Sequence, residues 1–407
     1  MLKGMKFYMR NIKLTKWYIA LTYDFLFFLF VQVYFLNQIK NISYENILLL
    51  ESIFSVLKIL VQMPIVNIIK RIGLLSSFRI GPILVCFSLL IFIFAPSFSV
   101  LVLAYLLKAI GWSFINISSS SLLYNELKQE DKIESYGKYY GLGQSTFIFL
   151  NVFSSLFSGF LFSLNGYLPL IICLIIHIFA VIISFQVSGV ETENLREQFS
   201  VQSSLNNCKL VLENKLFIYI FVISMIFWGI LGVYDTYNMN YLESIGISVN
   251  FCTIIMGFIS IFGFIFSRYQ YKIKPVLKSN NYIIMTFCLV IPSIFAGLCY
   301  VYKLSSFILL IIMLLALIFQ VFTRNQFRIY ALDYINQFSK PELRVDSVGL
   351  YYWFEAFGRF LITYVGSLIL NFNNIGGAYV LILFIFIFPL FWISFEIKKS
   401  LDNKKIR

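Results

Sequence analysis

Residues Leu101–Tyr140 read LVLAYLLKAIGWSFINISSSSLLYNELKQEDKIESYGKYY. At about 1.5 Å rise per residue, the apolar part is long enough to cross a hydrocarbon core of about 30 Å as a helix. It carries an interior lysine, Lys108, runs through the serine cluster Ser118–Ser121 and breaks into a short charged loop. A charge facing lipid costs several kcal/mol. Such a helix therefore lines a polar space inside a bundle, and the loop after it lies in water.

The rest of the chain agrees. Its hydrophobic fraction is 60% and its charged fraction 13%, against about 45–50% and about 25% in soluble domains, and its mean hydropathy is +0.84. The apolar runs are unbroken, which excludes a barrel of alternating strands. An all-α, polytopic membrane protein follows. The net charge of +13 reads as topogenic, so nucleic acid is not an expected partner; the lipid bilayer is. Six scattered cysteines show no CxxC spacing and read as small core residues. With no Walker sequence, zinc spacing or nucleophile elbow, no enzyme, metal or cofactor is expected.

Hydropathy predicts twelve transmembrane helices, near 17–36, 46–69, 78–95, 99–124, 139–162, 167–188, 217–241, 248–268, 281–302, 304–334, 346–371 and 375–397. The longest polar segment between them divides the chain into an N-terminal six-helix bundle (1–188), a cytoplasmic central loop (189–215) and a C-terminal six-helix bundle (216–407). Of the 32 Lys and Arg, only Lys40 and Lys303 fall on outer loops; Lys58, Lys108, Arg324, Arg328 and Arg359 lie within helices, and the rest share the other side. Lysine and arginine collect in the cytoplasm, so both termini are expected there. The basic start, with a long apolar stretch and no cleavage site behind it, reads as a retained first helix.

The two halves echo each other. VNIIKRIG (Val66–Gly73) aligns with GFIFSRYQYK (Gly263–Lys272), matching Arg71 to Arg268. These loops resemble the Gly-x-x-x-Asp-Arg-x-Gly-Arg-Lys signature of the major facilitator superfamily. Arg71, Gly73, Gly263, Arg268 and Lys272 fit it, while Lys70 and Ser267 stand at the aspartate position. LLYNELKQEDKIESYGKYYG (Leu122–Gly141) and YINQFSKPELRVDSVGL (Tyr334–Leu350) are similar to loops of a bacterial branch. The antiporter pattern of helix 5 is absent: SSLFSGF keeps only Gly159. The resemblance implies a monomeric twelve-helix secondary transporter of the plasma membrane, a bacterial cell membrane, in which helices 1, 4, 7 and 10 line a central cavity. It also implies that the loop 2–3 signature holds the cytoplasmic side closed through charge contacts, one of them lost or reversed in sign by Lys70.

Ionisable groups inside helices are functional candidates. Asp24, Lys108, Asp235 and Arg324 fall on the four cavity helices and are the expected proton-coupling or substrate residues. Asp24 either couples protons or forms a structural bridge with Lys108 or Lys58; Lys108 either holds Asp24 ionised or binds an anionic group. Helix rise puts Asp235 about 9 Å outward of the midplane and Arg324 about 9 Å inward; Arg328 lies near the inner interface and is expected to snorkel. Trp228, Leu231, Asp235 and Asn238 share one helical face, a setting for a cationic amphipath or an open vestibule. Lys58, Glu355 and Arg359 are inter-bundle gate candidates: Glu355 and Arg359 are spaced i,i+4, and Lys58 on helix 2 would face Glu355 on helix 11. Trp112 and Trp228 are the cavity aromatics. The serine cluster and His177 read as packing.

The expected function is proton-coupled export of an amphipathic small molecule, drug, toxin or peptide by alternating access. Import of a nutrient or metabolite, or a non-transporting sensor or immunity role on the same fold, are the alternatives.

Overall fold

The computed structural model describes all residues except 1, 43, 189–200, 248, 373–374 and 406–407, and among the described residues it contains helices and no strands. In chain order these are α1 (Leu2–Thr22), α2 (Gln32–Tyr34) with a π-helical turn at Phe35–Ile39, α3 (Tyr44–Ile72), α4 (Leu74–Phe94), α5 (Phe98–Gln129), α6 (Tyr136–Leu164), α7 (Leu168–Gln186), α8 (Val201–Leu212), α9 (Lys215–Ser244), α10 (Val249–Arg268), α11 (Gln270–Leu277), α12 (Asn281–Val301), α13 (Ser306–Phe338), α14 (Arg344–Phe372) and α15 (Ile375–Lys405). In lipid every backbone polar group must be satisfied within the segment, and the helix does this. Among the described residues, nine helices are long and apolar enough to cross a membrane by length and composition.

Each predicted helix has a counterpart, with one correction that matters. The stretch 17–36 is not one helix. The α-helix stops at Thr22, residues 23–31 leave it, and Phe27 has φ +67°. The break has a local cause. The Asp24 carboxylate accepts a hydrogen bond from the Phe25 N–H at 2.7 Å, and a short acidic side chain bonded to nearby backbone competes with the helical ladder. Thr22 Oγ1 closes the last turn on the Tyr18 carbonyl at 2.8 Å, while Phe25 and Phe28 are buried beyond it. α8 and α11 were not predicted. Both are short, polar overall and apolar on one side; Val211 of α8 and Leu277 of α11 are buried. Part of the predicted central loop, residues 189–200, lies outside the described residues.

Two glycines set the geometry around α4. Gly73, at φ +86°, joins α3 to α4 with open space where a Cβ would stand, so the backbone conformation demands it. Where α4 crosses α5, a Cβ on Gly111 would lie 2.7 Å from Val85 Cγ2 and 2.9 Å from the Gly81 carbonyl oxygen; small residues let the two backbones approach. At the opposite end of α4, Lys40 donates to the carbonyls of Ile93 (2.6 Å) and Ala95 (3.1 Å). A cation is favoured at a helix C-terminus, and burial pulls this lysine's pKa below its ordinary value.

The chain forms two compact units. The first comprises Met1–Val211 with Leu332–Trp353, and the second Leu212–Ala331 with Phe354–Arg407. In the first, the serines Ser118–Ser121 are all buried; Ser120 bonds the Tyr136 hydroxyl at 2.8 Å and accepts from Asn336 Nδ2 at 3.1 Å. In the second, α9 and α14 cross where Gly229 meets Gly358: a Cβ on Gly229 would stand 2.7 Å from the Gly358 carbonyl oxygen, and one on Gly358 would collide with the Met225 carbonyl.

Candidate functional site

The predicted site residues gather in two clusters, one in each unit. In the first, Lys108 on α5 is only 4% exposed, and its ammonium sits inside four aromatic rings. Phe25, Phe54 and Trp112 have ring centroids 4.7 Å from Nζ, and Tyr105 stands at 5.1 Å. Tyr105 and Trp112 come from the same helix at i−3 and i+4. Phe54 comes from α3, and Phe25 from the unwound segment beside Asp24. Cation–π contacts of about 0.5–2 kcal/mol each hold this charge where lipid would reject it. Phe25 directly follows Asp24, so the helix break sets the carboxylate one residue from a wall of the cage. Lys58 lies 5.8 Å from the centroid of the same Phe54 ring.

A residue missed in the sequence completes this cluster. Glu51 on α3 is exposed, and its Oε1 accepts from Gln32 Nε2 at 2.9 Å and from the Tyr105 hydroxyl at 2.7 Å. Gln32 also donates to Tyr105 Oη at 2.8 Å. The segment after the helix break thus ends in an anchor for a carboxylate, next to the cage. Its only sequence signal was spacing: Glu51, Phe54 and Lys58 lie at i, i+3 and i+7 on one face. His177 is fully buried, with Nδ1 3.0 Å from the Cys173 carbonyl oxygen and its ring edge-on to Phe25.

In the second unit Asp235 and Arg324 form an ion pair, with Arg324 also donating to the Leu231 carbonyl at 3.3 Å. This corrects the depth estimate that set them about 18 Å apart. α13 runs on to Phe338, which moves Arg324 nearer mid-helix, and the long arginine stem covers the remaining offset. Arg328, expected to snorkel, instead donates from Nη2 to Glu355 Oε1 at 2.6 Å, with both side chains largely buried. Arg359 Nε lies 4.0 Å from the same oxygen. The two guanidiniums flank Trp228, with carbons 4.2 and 5.0 Å from a ring centroid. Trp228 therefore lies against two of the protein's own cations, and Asp235 is paired with an arginine. Asn238 is buried, bonded to Gln320 at 3.0 Å and to Tyr379.

The loop-signature residues stand apart from both clusters. Arg71 lies in the last turn of α3 and Arg268 in that of α10, where positive charge is favoured; Gly263 is buried in α10. Lys70, at the aspartate position, pairs with Asp346 in the first turn of α14 at 2.5 Å, with Asp346 fully buried. The contact exists with the lysine on α3 and the carboxylate on α14. Arg344 donates to Asn125 Oδ1 at 2.7 Å and lies over the Tyr124 ring, 4.1 Å from its centroid. Cys208 on α8 feels the Lys70–Asp346 pair. Burial and the Asp346 carboxylate push its thiol pKa up, against the opposing pull of Lys70.

Apolar membrane-length helices, one of them unwound at a carboxylate, and caged or paired charges within them define a polytopic helical transporter. The sequence profile of the Major Facilitator Superfamily matches residues 18–363, and the chain belongs to that family. Similar solved structures share the fold. A bacterial homologue of the iron transporter ferroportin, in an outward-facing state, superposes with TM-score 0.77 at 13% identity, covering 97% of this chain and 99% of that one. The human organic anion transporter MFSD10 gives 0.70 at 12% identity, covering 96% and 98%. The Escherichia coli fucose:proton symporter gives 0.70 at 12%, covering 97% and 98%. No protein of curated function matches the sequence. The protein is a multi-pass membrane protein of a secondary-transporter family.

Proposed function

We propose that this protein is a proton-coupled exporter of an amphipathic small molecule, working by alternating access of two six-helix bundles, 1–188 and 216–407. Both termini and the central segment would lie in the cytoplasm of a bacterial cell, in keeping with the lysine and arginine asymmetry. The observation that carries this reading is the break in the first membrane helix at Asp24, beside the caged Lys108. Unwound backbone at membrane depth is tolerated where it lines a cavity or is buried in protein. Interrupted helices are a recurrent source of substrate and ion sites in transporters. Asp24 would take and release the coupling proton, with Glu51 as a second carboxylate in reach of water. The partly exposed rings of Phe54 and Trp112 would meet the apolar body of the cargo.

Direction is the part that flux measurement decides. Sealed right-side-out and inside-out vesicles, given opposite pH gradients, should show cargo leaving the cytoplasmic side in exchange for entering protons. Accumulation on the cytoplasmic side under the same gradient would replace export by import. Loss of all difference between this protein and empty vesicles, across an amphipathic compound panel, would remove transport itself.

A further inference from the structure

The second cluster has a charge imbalance with a chemical consequence. Within the second unit, the described mid-helix ionisable groups of α9, α13 and α14 are Asp235, Arg324, Arg328, Glu355 and Arg359. Each acid already has an arginine: Arg324 on Asp235, and Arg328 on Glu355 at 2.6 Å. Arg359 is left as the surplus cation. Its Nε is 4.0 Å from a Glu355 oxygen that Arg328 already holds, beyond hydrogen-bonding distance. Its side chain is 40% exposed. A guanidinium in a membrane span does not turn to lipid; it faces protein, water or ligand.

The setting is preorganised. The Gly229–Gly358 crossing brings α14 against α9, and the face of Trp228 holds Arg328 and Arg359 together. The Arg359 guanidinium carbon lies 5.0 Å from a Trp228 ring centroid, and a guanidinium presents a fork of donors that suits a two-oxygen acceptor. From these observations we infer that Arg359, backed by Trp228 and Arg328, receives the anionic head group of the transported molecule. The cargo is then an organic anion: a carboxylate, sulfonate or phosphate monoester on an apolar body. This deepens the proposed transport function and rests on it. Glu355 acts as the resident partner that keeps Arg328 from collapsing onto the incoming anion. Among the described mid-helix groups of α9, α13 and α14, a cationic head group meets no acid that an arginine does not already hold.

The test uses the purified full-length protein in detergent and three pyrene probes sharing one butyl linker and ending in carboxylate, phosphate or trimethylammonium. Binding is read as energy transfer from tryptophan to pyrene. The carboxylate and phosphate probes should bind at least about ten-fold more tightly than the ammonium probe, the scale of one charge-assisted hydrogen bond. Arg359→Ala should erase that preference, and Arg359→Lys should retain part of it. A melting curve separates lost binding from lost folding. If Arg359→Ala fails to fold, the wild-type comparison of the three probes still decides. Equal or tighter ammonium binding, an unchanged preference in Arg359→Ala, or no binding of any probe overturns the inference. The transport reading is judged separately by proton-driven flux and its loss in Asp24→Asn. Ammonium preference with intact flux sinks the anion assignment alone; anion preference without flux sinks transport alone.

Discussion

A lysine at membrane depth is held here by rings. Lys108 has four aromatic neighbours, so its charge is spread over contacts that survive dehydration, whereas an alanine would leave a void between Phe25, Phe54 and Trp112. Lys108→Ala is expected to cut transport by about thirty-fold or more, the cost of losing four cation–π contacts worth at least about 2 kcal/mol together; Lys108→Arg, which keeps the charge, should retain more, as scored by flux in liposomes. Cys208 reports on a second site at this scale. Its thiol is pushed up by burial and by Asp346 and pulled down by Lys70, and the thiolate is the reactive form. Maleimide labelling near pH 7 should therefore be slower than for a free cysteine. Asp346→Asn, removing a charge that raises the pKa, should speed it; Lys70→Ala, removing the one that lowers it, should slow it further. The opposite order would contradict the placement of α8 beside that pair.

At the scale of elements, helix ends and crossings do the organising. Lys70 closes α3 and Asp346 opens α14, each on the side that its helix dipole favours. Replacing Lys70 by Asp leaves two acids facing each other and should cost about 3–5 kcal/mol, the scale for breaking a buried pair. The double exchange Lys70→Asp with Asp346→Lys restores the attraction but reverses both dipole contacts, so it should recover all but about 1–2 kcal/mol. Thermal unfolding of wild type, Lys70→Asp and the double exchange measures this directly. At the α9–α14 crossing, a methyl on Gly358 has no room against the Met225 carbonyl, so Gly358→Ala should destabilise by about 1–3 kcal/mol or prevent accumulation of the protein. The twelve apolar runs were legible because the bilayer admits only self-satisfied backbone, and hydropathy records that demand. The break at Asp24 was not legible. The FLFFLF run after it is as apolar as any helix, and the bond from Phe25 N–H to the Asp24 carboxylate is a local contact that hydropathy does not record. Asp235 with Arg324 and Arg328 with Glu355 were hidden for a different reason: each pair joins two different helices, α9 to α13 and α13 to α14, and depth counted along one helix ignores the reach of an arginine. Glu51 passed unnoticed because it stands near the polar start of α3, where an acid raises no alarm.

For the whole molecule, the account rests on a carboxylate at a helix break serving as the point where proton and cargo movements are tied together. Charge placement is in keeping with it in both clusters: the lysine of the first is held by aromatic rings and the acids of the second by arginines. The decisive measurement is intravesicular pH during cargo movement in liposomes holding the full-length protein, wild type against Asp24→Asn, with cargo binding measured in parallel. The account predicts that cargo added to wild-type liposomes drives a proton flux and that a pH gradient drives cargo. It predicts that Asp24→Asn still binds cargo but moves no protons and accumulates nothing under the gradient. Proton-coupled transport in Asp24→Asn at the wild-type rate would contradict it.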